Sequence, residues 1–342
     1  MKRILLLCTL AETGGTQMSV YNLARELTAL GHMVTVGFGP GTFLKDALSA
    51  INIKTVQFQH LKRSYNIGTN TRFVLELSRY LTQHPQDVLH CNSSNTLFGA
   101  VAAKIQKKKP LTVFTFRGLS LLDIHYPGSP IKKWLYRTIF NILLLSIDKK
   151  VCVSQENFDQ LKRYGMTKHT SVVYNGLDAT HLTFLEQKEA RAVLGEKIGT
   201  PLSEKIIIGS IGRLSYQKNY EFLITEWPAI TTLFPNAMCI IIGEGPEKSK
   251  YEALIKALHI EKECLLVGSI EKAQRYLKAF DLFVMPSRYE GLSIVLIEAL
   301  FANVPILASD VNSNAEVVET AGKTFPLDDA RAFLKQLACF ST

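Results

Sequence analysis

The stretch ILLLCTLAETGGTQMSVYNLARELTALGHMVTVGF, Ile4 to Phe38, decides the fold. Residues 4–10 are an almost unbroken apolar run, the pattern of a strand covered on both faces of a sheet. A turn with Gly14 and Gly15 follows, and then Val20, Leu23, Leu27 and Leu30 recur at helical spacing on one face. Gly31 stands where a helix C-terminal glycine does, and residues 33–38 are apolar again. Strand, helix and strand in so short a span make a βαβ unit, which implies a parallel sheet.

Working outward, short apolar runs at 54–58, 87–89, 111–116 and 150–153 read as further strands, the last followed by a helix from Ser154. From 175 to 200 the pattern loosens into a polar, charged stretch that includes 186–196, and then the alternation restarts. Strands are expected at 206–211, 237–242, 263–267, 282–285 and 304–308, and helices at 220–232, 248–258, 271–279, 293–301 and 328–339. The fold class is therefore α/β, with two Rossmann-like doubly wound domains, residues 1–180 and 181–342. The length of 342 residues suits two domains, and 47% hydrophobic with 20% charged residues excludes a disordered chain.

Lys2 and Arg3 before an apolar run resemble the start of a signal peptide, but the run is short and no small-residue cleavage site follows. The apolar run at 134–147 is broken by Arg137 and Asn141 and is too short to span a bilayer. Cys8, Cys91, Cys152, Cys239, Cys264 and Cys339 show no paired metal-ligand spacing and read as reduced core thiols, so a cytoplasmic chain is expected.

Charge is unevenly placed. Residues 1–180 hold 22 basic and 10 acidic residues, a net +12, against −3 for the rest. The basic residues cluster at Lys62-Arg63, Lys107-Lys108-Lys109, Lys132-Lys133, Lys149-Lys150 and Lys162-Arg163. Such a face suits an anionic partner, such as a membrane surface or a phosphorylated acceptor, although any one cluster can be a plain solvated surface. Nucleic acid is not expected, because aromatic residues are not interleaved with the clusters and no module is recognisable.

Doubly wound sheets bind ligands in loops at the carboxyl ends of their strands. The richest such loop is Pro286-Ser287-Arg288-Tyr289-Glu290-Gly291-Leu292-Ser293-Ile294, with Glu298 in the helix behind. Gly291 admits close backbone approach, and the first amides of the helix, those of Ser293 and Ile294 among them, suit a diphosphate. Glu290 and Glu298 can accept hydrogen bonds from hydroxyls on either side of it, as a sugar nucleotide presents them; the plainer alternative is one acid on the helix dipole and one buried, paired acid. A second loop, Gly212-Arg213-Leu214-Ser215-Tyr216-Gln217-Lys218-Asn219, places two cations by a strand end, where they can stabilise a departing nucleoside diphosphate; the plainer alternative is two exposed surface cations. Gly243-Glu244-Gly245-Pro246 reads as a turn. Gly14-Gly15 precedes a helix where an anion can bind, but neither a Walker loop nor G-x-G-x-x-G is present.

Gly14-Gly15, Gly31-His32-x-Val34, Val173-x-Asn175-Gly176-x-Asp178, Gly212-Arg213-Leu214 with Lys218-Asn219, Gly243-x-Gly245-Pro246, and Pro286-Ser287-x3-Glu290-Gly291-x6-Glu298-Ala299 occur in this order. The series resembles the retaining glycosyltransferases of family four, which have the GT-B fold of two domains facing across a cleft. The resemblance implies that the first domain holds a glycan or lipid-linked acceptor and the second a UDP-sugar or GDP-sugar. It implies that Arg213 and Lys218 bind the diphosphate and help it leave, that Glu290 holds the transferred sugar, and that the amides of Gly291, Leu292, Ser293 and Ile294 lie on the phosphates. Glu298 would hold the ribose, with the base against 267–270 and with Gly14 and Gly15 near acceptor or phosphate. Transfer of a hexose or N-acetylhexosamine with retained configuration is expected, in polysaccharide or lipopolysaccharide synthesis of a bacterial cell envelope. A cytoplasmic enzyme, peripheral on the inner face of the membrane, suits that role. No D-x-D occurs, so neither metal nor any other cofactor is expected, with cations and helix dipole in the metal's place.

Three places depart from the family pattern. Where relatives carry His-Gly, this chain has Phe116-Arg117-Gly118, with His90 as a second candidate on the acceptor side. The usual glycine pair before Pro-Glu reads Asn312-Ser313-Asn314-Ala315-Glu316. The chain ends at Thr342, where many relatives continue back to the first domain, so closure differs or the sequence is truncated. A sugar-nucleotide epimerase of the same fold and an inactive nucleotide-sugar-binding module remain as alternatives.

Overall fold

The computed structural model describes residues 1–340 except 13, 65, 119–122, 124, 312 and 320, and only the backbone of His181. Thr13 of the first turn, Asn312 of the departing loop and the terminal Thr342 therefore lie outside the described residues. The chain divides into two compact units, Met1–Asn175 and Gly176–Thr342. The division falls a few residues before the junction expected near 180.

In the first unit the strands are β1 (Arg3–Cys8), β2 (Met33–Phe38), β3 (Lys54–Gln57), β4 (Val88–Cys91), β5 (Leu111–Phe116), β6 (Lys149–Cys152) and β7 (Thr170–Val172). They form one seven-stranded sheet in the order β3-β2-β1-β4-β5-β6-β7, every pair parallel. The helices are α1 (Gly15–Ala29), α2 (Phe43–Ser49), α3 (Ile67–Gln83), α4 (Phe98–Lys104), α5 (Pro130–Leu144) and α6 (Gln155–Arg163). The near-continuous apolar run of β1 is explained by burial on both faces. Leu5 and Leu7 pack with Phe73, Leu77 and Leu97 under α3 and α4, whereas Ile4, Leu6 and Cys8 pack with Val20, Ala24 and Leu44 under α1 and α2. Each such fully buried aliphatic side chain contributes about 1.5–3 kcal/mol. Gly31 ends α1 at φ 79°, a left-handed conformation that costs a side chain but not glycine.

In the second unit α7 (Gln187–Ile198) precedes β8 (Ile206–Ile211), and α8 (Tyr220–Thr225), α9 (Trp227–Leu233), β9 (Ala237–Ile242) and α10 (Lys248–Ala257) follow. Next come β10 (Cys264–Gly268), β11 (Leu282–Met285), α11 (Ile294–Phe301), β12 (Ile306–Ser309), α12 (Asn314–Val318), β13 (Lys323–Phe325) and α13 (Ala330–Ala338). The six strands pair in the order β10-β9-β8-β11-β12-β13, all parallel.

Several expectations need correction. The helix expected over 220–232 is two helices, because Pro228 removes a backbone donor and is tolerated only in the first turn of a new one. Residues 273–279 form a 3-10 helix rather than an α-helix, entered through Lys272 in the left-handed region. The loose stretch at 186–196 is mostly α7, helical despite its weak amphipathic pattern and closed by Gly199 at φ 68°. Cys339 is not a core thiol: it is exposed, whereas the other five cysteines are buried and all six are free.

Candidate functional site

The strand order reverses between β1 and β4 in the first sheet and between β8 and β11 in the second. Ligands of doubly wound sheets bind beside such reversals, at the carboxyl ends of the strands.

In the second unit the loops after β8 and β11 meet there. The turn at 243–246 braces the first of them: a Cβ on Gly245 would stand 2.1 Å from the Leu214 carbonyl oxygen, and one on Gly243 1.9 Å from that of Gly212. The two backbones join through Gly212 N–H to the Ile242 carbonyl (2.9 Å) and Leu214 N–H to that of Glu244 (3.0 Å). The turn reading of these glycines holds, and their place in the site is to fix the loop that carries Arg213. Asn219 ends this loop in the left-handed region at φ 55° and donates from Nδ2 to Asp328 Oδ1 at 2.8 Å.

The second loop is locked onto the first. The Arg288 N–H donates to the Gln217 carbonyl (2.8 Å), its Nη1 donates to the Tyr216 carbonyl (2.9 Å), and its guanidinium lies 4.3 Å from the Tyr216 ring centroid. This lock brings Lys218 Nζ to 2.6 Å from Glu290 Oε1, with the two side chains 15% and 7% exposed. Ser287 Oγ donates to the same oxygen (2.7 Å) and Gln217 Nε2 to the other (3.3 Å). Ser309, at the end of β12, holds Ser287 in place by donating to its carbonyl at 2.6 Å. Gln217, Ser287 and Ser309 were not singled out from the sequence; the first two lie in the loops already of interest, whereas nothing local marks Ser309.

Gly291, Leu292 and Ser293 are buried and lead into α11, whose cap Ser293 makes no side-chain bond to the first turn. The first helical amides, beginning at Ile294, are thus left to a ligand or solvent. Glu298, farther along α11, contrasts with Glu290. It is half-buried, has no hydrogen bond or ion pair among the described residues, and burial pushes its carboxyl up to about 7. It is not the paired acid of the plainer alternative. Arg213 is exposed and makes no ion pair among the described residues. Residues 267–270 are half-buried apart from the exposed Ser269, where β10 ends. In the departing loop, Ser313 and Asn314 are fully buried, with Ser313 Oγ and Asn314 Oδ1 unpartnered and Asn314 Nδ2 donating to the Ser309 carbonyl at 3.2 Å.

In the first unit the loops after β1 and β4 are joined by Thr9 N–H donating to Ser93 Oγ (3.0 Å) and by a bond between the two hydroxyls (2.6 Å). His90 is a residue of β4 itself rather than of the loop after it, and its Nε2 shares a 2.7 Å hydrogen bond with Thr115 Oγ1. Burial, with the positive Arg117 nearby, pushes the imidazole down to about 3, so His90 is neutral rather than imidazolium at physiological pH. Arg117 follows β5 and donates from Nη1 to Asn175 Oδ1 (2.7 Å) and from Nη2 to Asn92 Oδ1 (2.9 Å). Gly14 and Gly15 open α1 on the same edge of the sheet, with no side chain capping the helix and Gln17 Nε2 donating back to the Leu10 carbonyl at 3.0 Å.

Two doubly wound parallel units in one chain define the GT-B architecture, and solved structures of that class superpose on it. HepE of Anabaena, in complex with UDP and glucose, aligns with a TM-score of 0.82 at 20% identity, over 99% of this chain and 89% of that one. The family pattern described as glycosyl transferases group 1 matches residues 196–337, and that described as glycosyltransferase family 4 matches residues 13–181. The chain belongs to these GT-B glycosyltransferases. Among curated relatives, an Escherichia coli UDP-Gal:alpha-D-GlcNAc-diphosphoundecaprenol alpha-1,3-galactosyltransferase is 27% identical over 87% of this chain and 76% of its own length. The O-antigen biosynthesis glycosyltransferase WclY of Escherichia coli is 21% identical over 92% of this chain and 81% of its own. Several other relatives match over only 30–41% of their own length. Among the described residues no helix is long and apolar enough to cross a membrane.

Proposed function

We propose that this chain is a retaining glycosyltransferase that moves a hexose or N-acetylhexosamine from a UDP-sugar to a lipid-linked glycan, in the synthesis of a bacterial cell-envelope polysaccharide. The observation that carries the donor site is the Lys218–Glu290 pair at the sheet reversal, with the unpartnered Glu298 on the helix that follows. Lys218 and the exposed Arg213 neutralise the diphosphate as it departs, and the open backbone amides of α11 add the helix dipole. Glu290, fixed by Ser287 and Gln217, takes the sugar hydroxyls; Glu298 takes those of the ribose. With cations placed at the leaving group, the reaction proceeds without a bound divalent metal or other cofactor. The uridine base and the lipid-linked acceptor are supported by the names of relatives, which include a UDP-galactose enzyme and two that act on undecaprenol-linked diphosphates.

The test is a transfer assay with UDP-glucose, UDP-galactose and their N-acetylamino counterparts on diphosphoprenol-linked acceptors, with EDTA present and the product anomer read by NMR. An α-linked product from one of these α-donors, formed equally with and without EDTA, is expected. A β-linked product, or loss of activity in EDTA, contradicts the reading. Donor turnover without acceptor is the epimerase result, and nucleotide binding without turnover is that of an inactive module.

The chain also works at the cytoplasmic face of the membrane. Helix α5 exposes Ile131, Trp134, Leu135 and Ile142, with Leu145 just beyond its end, and carries Lys132, Lys133 and Arg137. An apolar face edged by cations suits an anionic lipid surface. Vesicles with anionic lipid are expected to sediment the protein at low salt. With each cation contributing about 1 kcal/mol and the indole a similar amount, replacing Lys132, Lys133 and Trp134 by alanine weakens that binding by about 10²-fold. Equal sedimentation of wild type and variant contradicts this role for α5.

A further inference from the structure

Arg117, just after β5, is a half-buried cation whose guanidinium is largely desolvated. Its partners Asn92 and Asn175 offer neutral amide oxygens, and among the described residues its Nε is buried without a hydrogen-bond partner. Among the described residues no carboxylate pairs with it. Neighbouring titratable groups do not supply the missing charge: burial holds the Cys8 thiol up at about 11 and His90 neutral. Burial lowers the guanidinium itself only to about 10, so it stays charged. Arg63, exposed and without an ion pair among the described residues, also bears on the Cys8 thiol, and so adds a second positive charge at the end of β1. A buried charge is costly unless an opposite charge meets it, and these groups sit at the strand ends where doubly wound sheets take ligands.

We propose that Arg117, backed by Arg63, forms an anion subsite in the first unit that takes the diphosphate of the lipid-linked acceptor. The planar guanidinium, oriented by Asn92 and Asn175, keeps a second N–H on each of Nη1 and Nη2 for phosphate oxygens, in a fork geometry that a point charge does not match. The subsite rests on the function proposed above, since the same chemistry could serve the donor's diphosphate, and the test separates the two.

Binding of geranyl diphosphate to the full chain, measured by calorimetry in saturating UDP so that the donor site is filled, is the probe. Wild type binds; Arg117→Gln weakens binding by about 10–100-fold and Arg63→Ala by several-fold, while UDP affinity stays within twofold and Arg117→Lys recovers part of the loss. Absence of geranyl diphosphate binding by wild type, or unchanged binding by Arg117→Gln and Arg63→Ala, overturns the subsite while leaving the donor reading intact. Loss of UDP affinity in Arg117→Gln, in step with the diphosphate, also overturns it and assigns Arg117 to the donor. Failure of wild type to bind UDP at all overturns the proposed function, and the subsite with it.

Discussion

Replacing Lys218 by methionine lowers the stability of the second unit by about 3 kcal/mol and cuts sugar transfer by about 10²–10³-fold. The stability loss follows from the pairing: Glu290 is 7% exposed and Lys218 Nζ stands 2.6 Å from its carboxylate. Removing the ammonium leaves that buried carboxylate without its cation, held by neutral donors such as Ser287 and Gln217. Breaking a buried pair on one side is the costly case, whereas removing both charges is close to neutral. The double variant Lys218→Met/Glu290→Gln is therefore expected to recover most of the melting temperature and none of the activity. Over a unit of this size the single substitution lowers Tm by roughly 6–12 °C. Melting curves and initial rates on the three proteins decide it; a Lys218→Met protein that is as stable and as active as wild type contradicts both halves.

Glu298→Gln is expected to act in opposite directions on stability and on donor binding. Burial raises the Glu298 carboxyl from 4.5 to about 7, so the folded chain holds its proton more tightly than the unfolded chain does. The stability linked to this group is fully present below about pH 4.5 and is lost as pH rises through about 7. Glutamine carries no such pH dependence. The variant should match wild type near pH 4.5 and exceed it at pH 8 by about 1–3 kcal/mol. Its affinity for nucleoside diphosphate should fall by about 10–100-fold, because a neutral amide replaces the charged acceptor for ribose hydroxyls. A stable protein that has lost its ligand is the mark of an acid kept for binding; a variant less stable than wild type at every pH shows instead a structural acid.

Much of this architecture is legible in the amino-acid sequence because its strands are buried on both faces. Runs such as Ile4 to Leu7 and Ile240 to Ile242 have no other good environment, and they mark the sheets directly. Elements whose signal is short or mixed were harder. The strands Thr170–Val172 and Lys323–Phe325 have three residues each, and helix Gln187–Ile198 is largely charged. The residues proposed for the site stand out in the sequence, but their pairing does not. Lys218 and Glu290 are 72 positions apart, and they meet because β8 and β11 are neighbours in the sheet. The two amide oxygens around Arg117 come from Asn92 and Asn175, 25 and 58 positions away. Local motif spacing carries no information about either contact.

The second unit is expected to hold a sugar nucleotide through Glu298 and its neighbours. That binding is tested most directly by the melting-temperature shift with UDP, GDP, ADP and NAD, on wild type and on Glu298→Gln, since a ligand that binds only the folded state must stabilise it. Stabilisation of wild type by UDP, largely absent in the variant, is the predicted result. A shift with NAD alone, with none of the four, or of equal size in the two proteins contradicts it.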